Sequence, residues 1–231
     1  MIPYKDDNPT RTFPYVTIGL IAVNTMVFIW QVSIPSDPER IAFAYGAVPH
    51  FMLTFSTVQP IHPFLSVFTS MFIHGSFLHL FANMLYLWIF GDNIEDRLGK
   101  VRFILFYLTC GLLAAYAHAL TESHSMVPMI GASGAVSGIL GAYLLLFPHA
   151  KVRTIVILVF FIQVVRLPAL FVIGLWIAIQ FINGLLSAGA APGGGGVAWF
   201  AHIGGFISGV LLIKVFLGSR KYSLKALIFR N

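Results

Sequence analysis

Met126-Val-Pro-Met-Ile-Gly-Ala-Ser-Gly-Ala-Val-Ser-Gly-Ile-Leu-Gly-Ala-Tyr-Leu-Leu-Leu146 contains no charged residue. It is about as long as the ~20 apolar residues a helix needs to cross a bilayer. Near its start, Gly131-Ala-Ser-Gly134 places one hydroxyl in this apolar run, and Gly134, Gly138 and Ala142 follow at four-residue spacing on one helical face. A small-x-x-x-small stripe lets a second helix approach closely in lipid. The stretch therefore reads as a packed membrane helix that carries a polar group near one end.

The rest of the 231-residue chain has the same character: 58% hydrophobic, 10% charged, with a mean hydropathy of +0.87. That is far above a water-soluble domain, and a bilayer is the solvent it needs. Further apolar stretches run from Tyr15 to Val32, Phe64 to Phe90, Phe103 to Leu120, Leu167 to Leu186 and Ala198 to Leu217. With the quoted segment they predict six spans and an all-α polytopic membrane protein. The expected organisation is a tail over 1–14, one membrane domain over 15–217 and a second tail over 218–231. No small-residue cleavage site follows the first stretch, which reads as a retained anchor rather than a removed signal.

Two segments are less regular. Between Pro35 and His62, Ile41, Phe43, Tyr45, Phe51, Met52 and Phe55 are too apolar for a solvated linker and too interrupted to span, so this loop is expected in the membrane interface. Thr154 to Arg166 either extends the fifth span or lies along the inner surface. Ala191-Pro-Gly-Gly-Gly-Gly196 reads as a flexible link before the last span.

The net charge of +6 and pI near 9.6 come from basic residues scattered at the ends of apolar runs, without the dense aromatic-interleaved cluster of a nucleic-acid surface. With the N-terminus inside, Lys5, Arg11, Arg97, Lys100, Arg102, Lys151, Arg153, Arg166, Lys214, Arg220, Lys221, Lys225 and Arg230 share one side and only Arg40 is opposite. This positive-inside pattern places both termini in the cytoplasm. The expected location is an integral protein of a bacterial plasma membrane. Cys110, the single cysteine, excludes an intramolecular disulfide or a cysteine-based zinc site.

Polar side chains inside spans need a partner or a task. His74, His79 and Asn83 lie in the second stretch, Ser133 in the fourth and His202 in the sixth. At 1.5 Å per residue all fall in the outer half of the membrane, with Ser133 ~10 Å and His79 ~12 Å inward. The set suits acyl transfer. His202 can take the proton of Ser133, while His79 and Asn83, one turn apart, can donate with the Ser133 backbone N–H to an oxyanion. No Asp or Glu lies in any span, and Glu122 reads as a solvated link residue, so a Ser–His dyad is expected. Alone, Ser133 could simply cap a helix, and the histidines could bond between helices. Metal binding is disfavoured because His74 and His79, five residues apart, point ~140° away from each other.

The ordered set His74-Gly-Ser-Phe-Leu-His79-Leu-Phe-Ala-Asn83, Gly131-Ala-Ser-Gly134 and Ala201-His-Ile-Gly-Gly205, with Gly91-Asp-Asn-Ile-Glu-Asp-Arg-Leu-Gly99 after the second stretch, resembles the rhomboid intramembrane serine proteases. The resemblance covers nearly all of Tyr15 to Leu217. It implies Ser133 as nucleophile, His202 as general base, His79 and Asn83 as oxyanion-hole donors and His74 as a supporting residue. It further implies an endopeptidase that cleaves transmembrane segments of other proteins near their outer ends, working in membrane lipid without metal, cofactor or nucleic acid. The chain departs from the family pattern twice. Ser137 stands where some members carry a tyrosine stacked on the histidine, and Leu65-Ser66 stands where many have Trp-Arg. A catalytically silent relative that binds transmembrane helices is the alternative reading.

Overall fold

A computed structural model describes residues 1–158, 161–188 and 197–218. The link from Ala191 to Gly196 and the terminal Arg220, Lys221, Lys225 and Arg230 lie outside the described residues. The chain order is β1 (Ile2–Asp6), α1 (Tyr15–Ser33), α2 (Pro38–Tyr45), α3 (Pro49–Thr54), α4 (Pro63–Ser70), α5 (Phe77–Leu98), α6 (Lys100–Thr121), α7 (Ser133–Leu146), β2 (Lys151–Leu158), β3 (Phe161–Pro168), α8 (Ala169–Ala188) and α9 (Trp199–Leu217).

Four helices, α1, α6, α8 and α9, are long and apolar enough to cross a membrane, and α7 is a shorter apolar helix of 14 residues. The 22-residue α5 is long enough, but His79, Asn83, Asp92 and Asn93 dilute its apolar character. The sequence places six spans by hydropathy alone; length and composition of the described helices support four.

The second apolar stretch is not one helix. α4 stops at Ser70, and α5 starts where the Ser76 hydroxyl accepts from the His79 N–H at 3.1 Å. This side-chain cap satisfies an orphan donor of the first turn and fixes the break. The charged residues beyond Phe90, expected in a link, instead continue α5 to Leu98, and Gly99 ends it with a φ of +76°. Glu95 is buried there because it caps another helix. Its carboxylate accepts from the Val16 N–H (3.0 Å), the Thr17 N–H (2.8 Å) and the Thr17 hydroxyl (2.8 Å) at the start of α1.

The all-α expectation needs correction, because β1, β2 and β3 form an antiparallel sheet in that order. Thr154 to Arg166 is not a helical extension of the fifth span. It lies within the paired strands β2 and β3, with Thr154 opposite Val165 and Ile155 opposite Val164. Val152, Thr154, Ile155, Val156, Ile157, Val164 and Val165 are β-branched, which favours a pleated surface over a helix. Residues 2–6, expected within a tail, form β1 on β2. The first loop folds as α2 and α3, burying Ile41, Phe51 and Met52 while Phe55 stays exposed.

α7 is central, packed on α5, α6 and α9. Its contact with α9 is backbone on backbone. A Cβ built on Gly209 would stand 2.6 Å from the Gly138 carbonyl carbon, and one on Gly205 would stand 3.0 Å from that of Gly134. The Gly134, Gly138 and Ala142 stripe thus meets a second row of small residues, Gly205 and Gly209 on α9. The other side of α7 meets α6, where Gly138 lies against Cys110 and Gly134 against Ala114.

Candidate active site

Ser133 is the first residue of α7, and His202 lies in the first turn of α9. The close glycine contact holds these two helix starts side by side, and His202 Nε2 lies 2.9 Å from Ser133 Oγ. That is hydrogen-bond distance for a hydroxyl and an imidazole. No side chain caps α7. The N–H groups of its first turn, including that of Ser133, therefore face the side where the hydroxyl sits, at the positive end of the helix dipole. A cavity of about 40 Å³, lined by Ser70, Met71, Gly111, Met129, Gly131 and Ser133 among others, lies beside the hydroxyl and can admit a water or two.

His79 and Asn83 converge on the chain just before the serine. Gly131 has a φ of +112°, and its N–H donates to the Ser70 carbonyl at 2.8 Å. A Cβ built on Gly131 would lie 2.7 Å from His79 Nε2 and 3.6 Å from Asn83 Nδ2. The space over Gly131 is thus shared by those two nitrogens, and a side chain there would be both strained and obstructed. His79 Nδ1 accepts from the Gly75 N–H at 3.4 Å, so the proton of a neutral His79 is on Nε2, the nitrogen that faces Gly131. The Asn83 amide uses one N–H on the His79 carbonyl at 3.1 Å and keeps the other. Two donors from α5 therefore point into one small volume.

His74 is buried in the turn before α5, its ring edge-on to His79 with centroids 5.2 Å apart. Its backbone is clasped by Gln31 of α1: the His74 N–H donates to Gln31 Oε1 at 3.0 Å, and Gln31 Nε2 donates to the His74 carbonyl at 3.2 Å. This supports the turn and, through His74, the ring of His79.

Gln180, which is absent from the residues that the sequence motifs single out, completes the site. On α8 and buried, it places Oε1 2.7 Å from His202 Nδ1. Its signal is an amide in a largely apolar helix, one turn beyond Trp176, and the same logic that singles out Asn83 applies to it. The rings of Trp176 and Trp199 flank the same imidazole with centroids at 5.8 Å and 6.3 Å. Ser137 is fully buried and donates to the Ser133 carbonyl at 2.6 Å. Among the described residues, no cluster of three or more His, Cys, Asp or Glu side chains is arranged to hold a metal ion.

The rhomboid domain model matches residues 62–219, which include every residue of this arrangement except Gln31. Three relatives illustrate the similarity. The mitochondrial Rhomboid protein 1 of Saccharomyces cerevisiae is 36% identical over 151 residues, covering 64% of this chain and 40% of the yeast protein. The mitochondrial Presenilin-associated rhomboid-like protein of Mus musculus is 30% identical over 147 residues, 62% of this chain and 36% of its own length. Its Bos taurus counterpart is 28% identical over 200 residues, 84% and 47% respectively. The chain thus spans less than half the length of these relatives. Their mitochondrial designation overturns the expectation of a bacterial plasma membrane, and with it the assignment of the termini to a bacterial cytoplasm.

Proposed function

We propose that this chain, which belongs to the rhomboid family, is an intramembrane serine endopeptidase that cuts transmembrane segments of other proteins with a Ser133–His202 dyad. The observation that carries the reading is the 2.9 Å contact of Ser133 Oγ with His202 Nε2 across two apolar helices. His202 takes the hydroxyl proton as Oγ attacks the scissile carbonyl, which makes an otherwise weak nucleophile effective. The oxyanion that forms is met by the His79 Nε2–H, the free Asn83 N–H and the Ser133 backbone N–H. The C–N bond then breaks, the leaving amine takes the proton from His202, and water activated by the same imidazole hydrolyses the acyl-enzyme.

The finer architecture in this reading is six spans, formed by α1, α5, α6, α7, α8 and α9, with α4 entering the membrane from the side opposite the basic residues. The 14-residue α7 is ~21 Å long against a ~30 Å hydrocarbon layer. With Leu146 at the basic-side boundary, Ser133 lies ~9 Å within the other one. Substrate segments are then cut near that face. The names of the relatives make a mitochondrial membrane the setting to examine first.

The test is cleavage of a labelled transmembrane substrate in liposomes by the parent, Ser133→Ala and His202→Ala. Both variants lose cleavage, and fluorophosphonate labelling disappears in Ser133→Ala. Cleavage that survives either change refutes the dyad.

A further inference from the structure

An imidazole serves as base toward Ser133 only if its Nε2 carries a lone pair and its Nδ1 carries the proton. Nothing in the serine–histidine contact alone decides between the two tautomers. The partner of the opposite nitrogen does, and that partner is Gln180, whose Oε1 stands 2.7 Å from Nδ1. An amide can face a histidine with either its oxygen or its NH2 group, and the two orientations select opposite tautomers.

The orientation of this amide is fixed from its other end. Gln180 Nε2 donates to the Trp176 carbonyl, one turn back along α8, at 3.3 Å. Reversing the amide would set its oxygen against that carbonyl oxygen and lose a hydrogen bond in a buried site. The oxygen therefore faces His202, Nδ1 donates to it, and Nε2 presents its lone pair to Ser133 Oγ. The rings of Trp176 and Trp199 leave the imidazole little freedom to turn away. A directed chain results: Ser133 O–H to His202 Nε2, His202 Nδ1–H to Gln180 Oε1, and Gln180 N–H to the Trp176 carbonyl.

We infer that Gln180 is a positioning residue that sets the tautomer and orientation of His202 and, in the reaction, stabilises the imidazolium through its amide oxygen. The catalytic consequence rests on the protease reading above; the tautomer does not. A neutral amide does this more weakly than a carboxylate, because it offers a dipole rather than a charge.

The full-length protein with 15N-labelled histidine, in detergent or liposomes, is examined by NMR as the parent, Gln180→Leu and Gln180→Glu, each also assayed for cleavage against pH. The parent His202 is expected protonated on Nδ1 when neutral. Gln180→Leu gives a mixture of tautomers, and kcat falls about 10- to 100-fold with KM little changed. Gln180→Glu restores an acceptor and adds a negative charge beside the ring, so the acid limb of the kcat profile moves to higher pH. A parent His202 protonated on Nε2 overturns the inference without any variant. So does a Gln180→Leu protein with the parent tautomer and kcat within twofold. Should the parent neither cleave nor label at Ser133, the protease reading fails while the tautomer measurement still decides the role of Gln180.

Discussion

Replacing Gly209 by alanine tests whether the glycine contact between α7 and α9 is what brings Ser133 to His202. A Cβ at position 209 would stand 2.6 Å from the carbonyl carbon and 2.7 Å from the Cα of Gly138, with the Gly138 carbonyl oxygen nearer still. These are backbone atoms inside a helix, so no side chain can swing aside. Ordinary carbon–carbon contact begins near 3.4 Å, so the carbon contacts alone require the helices to separate by about 0.8 Å, and the nearer oxygen requires more. Carried rigidly along α9 to its first turn, that displacement stretches the 2.9 Å Ser133–His202 contact to at least about 3.7 Å, beyond hydrogen-bonding range. Overpacking of this kind costs about 1–3 kcal/mol, and a misplacement near 1 Å can cost a reaction about 100-fold. Gly209→Ala is therefore expected to melt at a lower temperature in detergent and to label with a fluorophosphonate at least about 10-fold more slowly. The control is Gly19→Ala on α1, where an added Cβ meets nothing within 4 Å. A Gly209→Ala protein with the parent's melting temperature and labelling rate would refute the reasoning, because it would show the helices free to part without consequence for the pair.

His79→Ala removes one oxyanion donor and is expected to lower kcat about 100- to 1000-fold while leaving KM near the parent value, read from steady-state cleavage kinetics. Glu95→Gln sets an NH2 donor against the Val16 or Thr17 donors at the start of α1. It should reduce stability by about 1–3 kcal/mol in thermal melts. The cleavage rate per folded molecule should be unchanged, since Glu95 lies 16 residues, ~24 Å, along α5 from His79. Asp6 of β1 receives a 2.6 Å hydrogen bond from the Tyr143 hydroxyl, yet burial, with a smaller contribution from Asp92, raises its pKa from an ordinary 3.8 to about 6. The folded protein then holds this proton more tightly than the unfolded chain. Stability should fall as pH rises from about 4 to about 6, by no more than about 1.4 kcal/mol per pH unit, and then level off. Asp6→Asn should reduce that slope in melts taken across the window.

The extent to which the molecule can be read from its sequence follows from how local each constraint is. α1, α6, α8 and α9 match their apolar stretches to within a few residues, because lipid exposure demands continuous helix and hydropathy records the demand directly. The break between α4 and α5 is different. It depends on Ser76 capping the His79 N–H and on Gln31, far away in sequence, clasping the backbone of His74. The continuation of α5 through Asp92 and Glu95 is also nonlocal, since Glu95 is tolerated in a buried position only by the unpaired N–H groups at the start of α1. The β2–β3 hairpin was masked by its own hydrophobicity. Its β-branched residues are as apolar as a span, and between two spans apolarity alone cannot separate strand from helix.

The same distinction runs through the site. Ser133, His202, His79 and Asn83 are legible because each is a polar group in an apolar run, and the Gly134/Gly138 stripe already marks a face that a second helix approaches closely. Ser137 stands where some members of the family carry a tyrosine stacked on the histidine. Ser137 is fully buried, and its Cβ lies 3.2 Å from a Cβ built on Gly205, so this position is part of the tight α7–α9 seam. A ring there would force the seam open by more than the single methyl of Gly209→Ala does. The chain does not hold His202 from α7, where a ring would compete with this close contact. It holds the imidazole from α8 instead, with Gln180 on Nδ1 and the Trp176 ring alongside. By the same reasoning Ser137→Tyr should fail to improve catalysis and should lower the melting temperature. A Ser137→Tyr protein that is as stable as the parent and faster in cleavage would mean that the seam is looser than its glycines indicate.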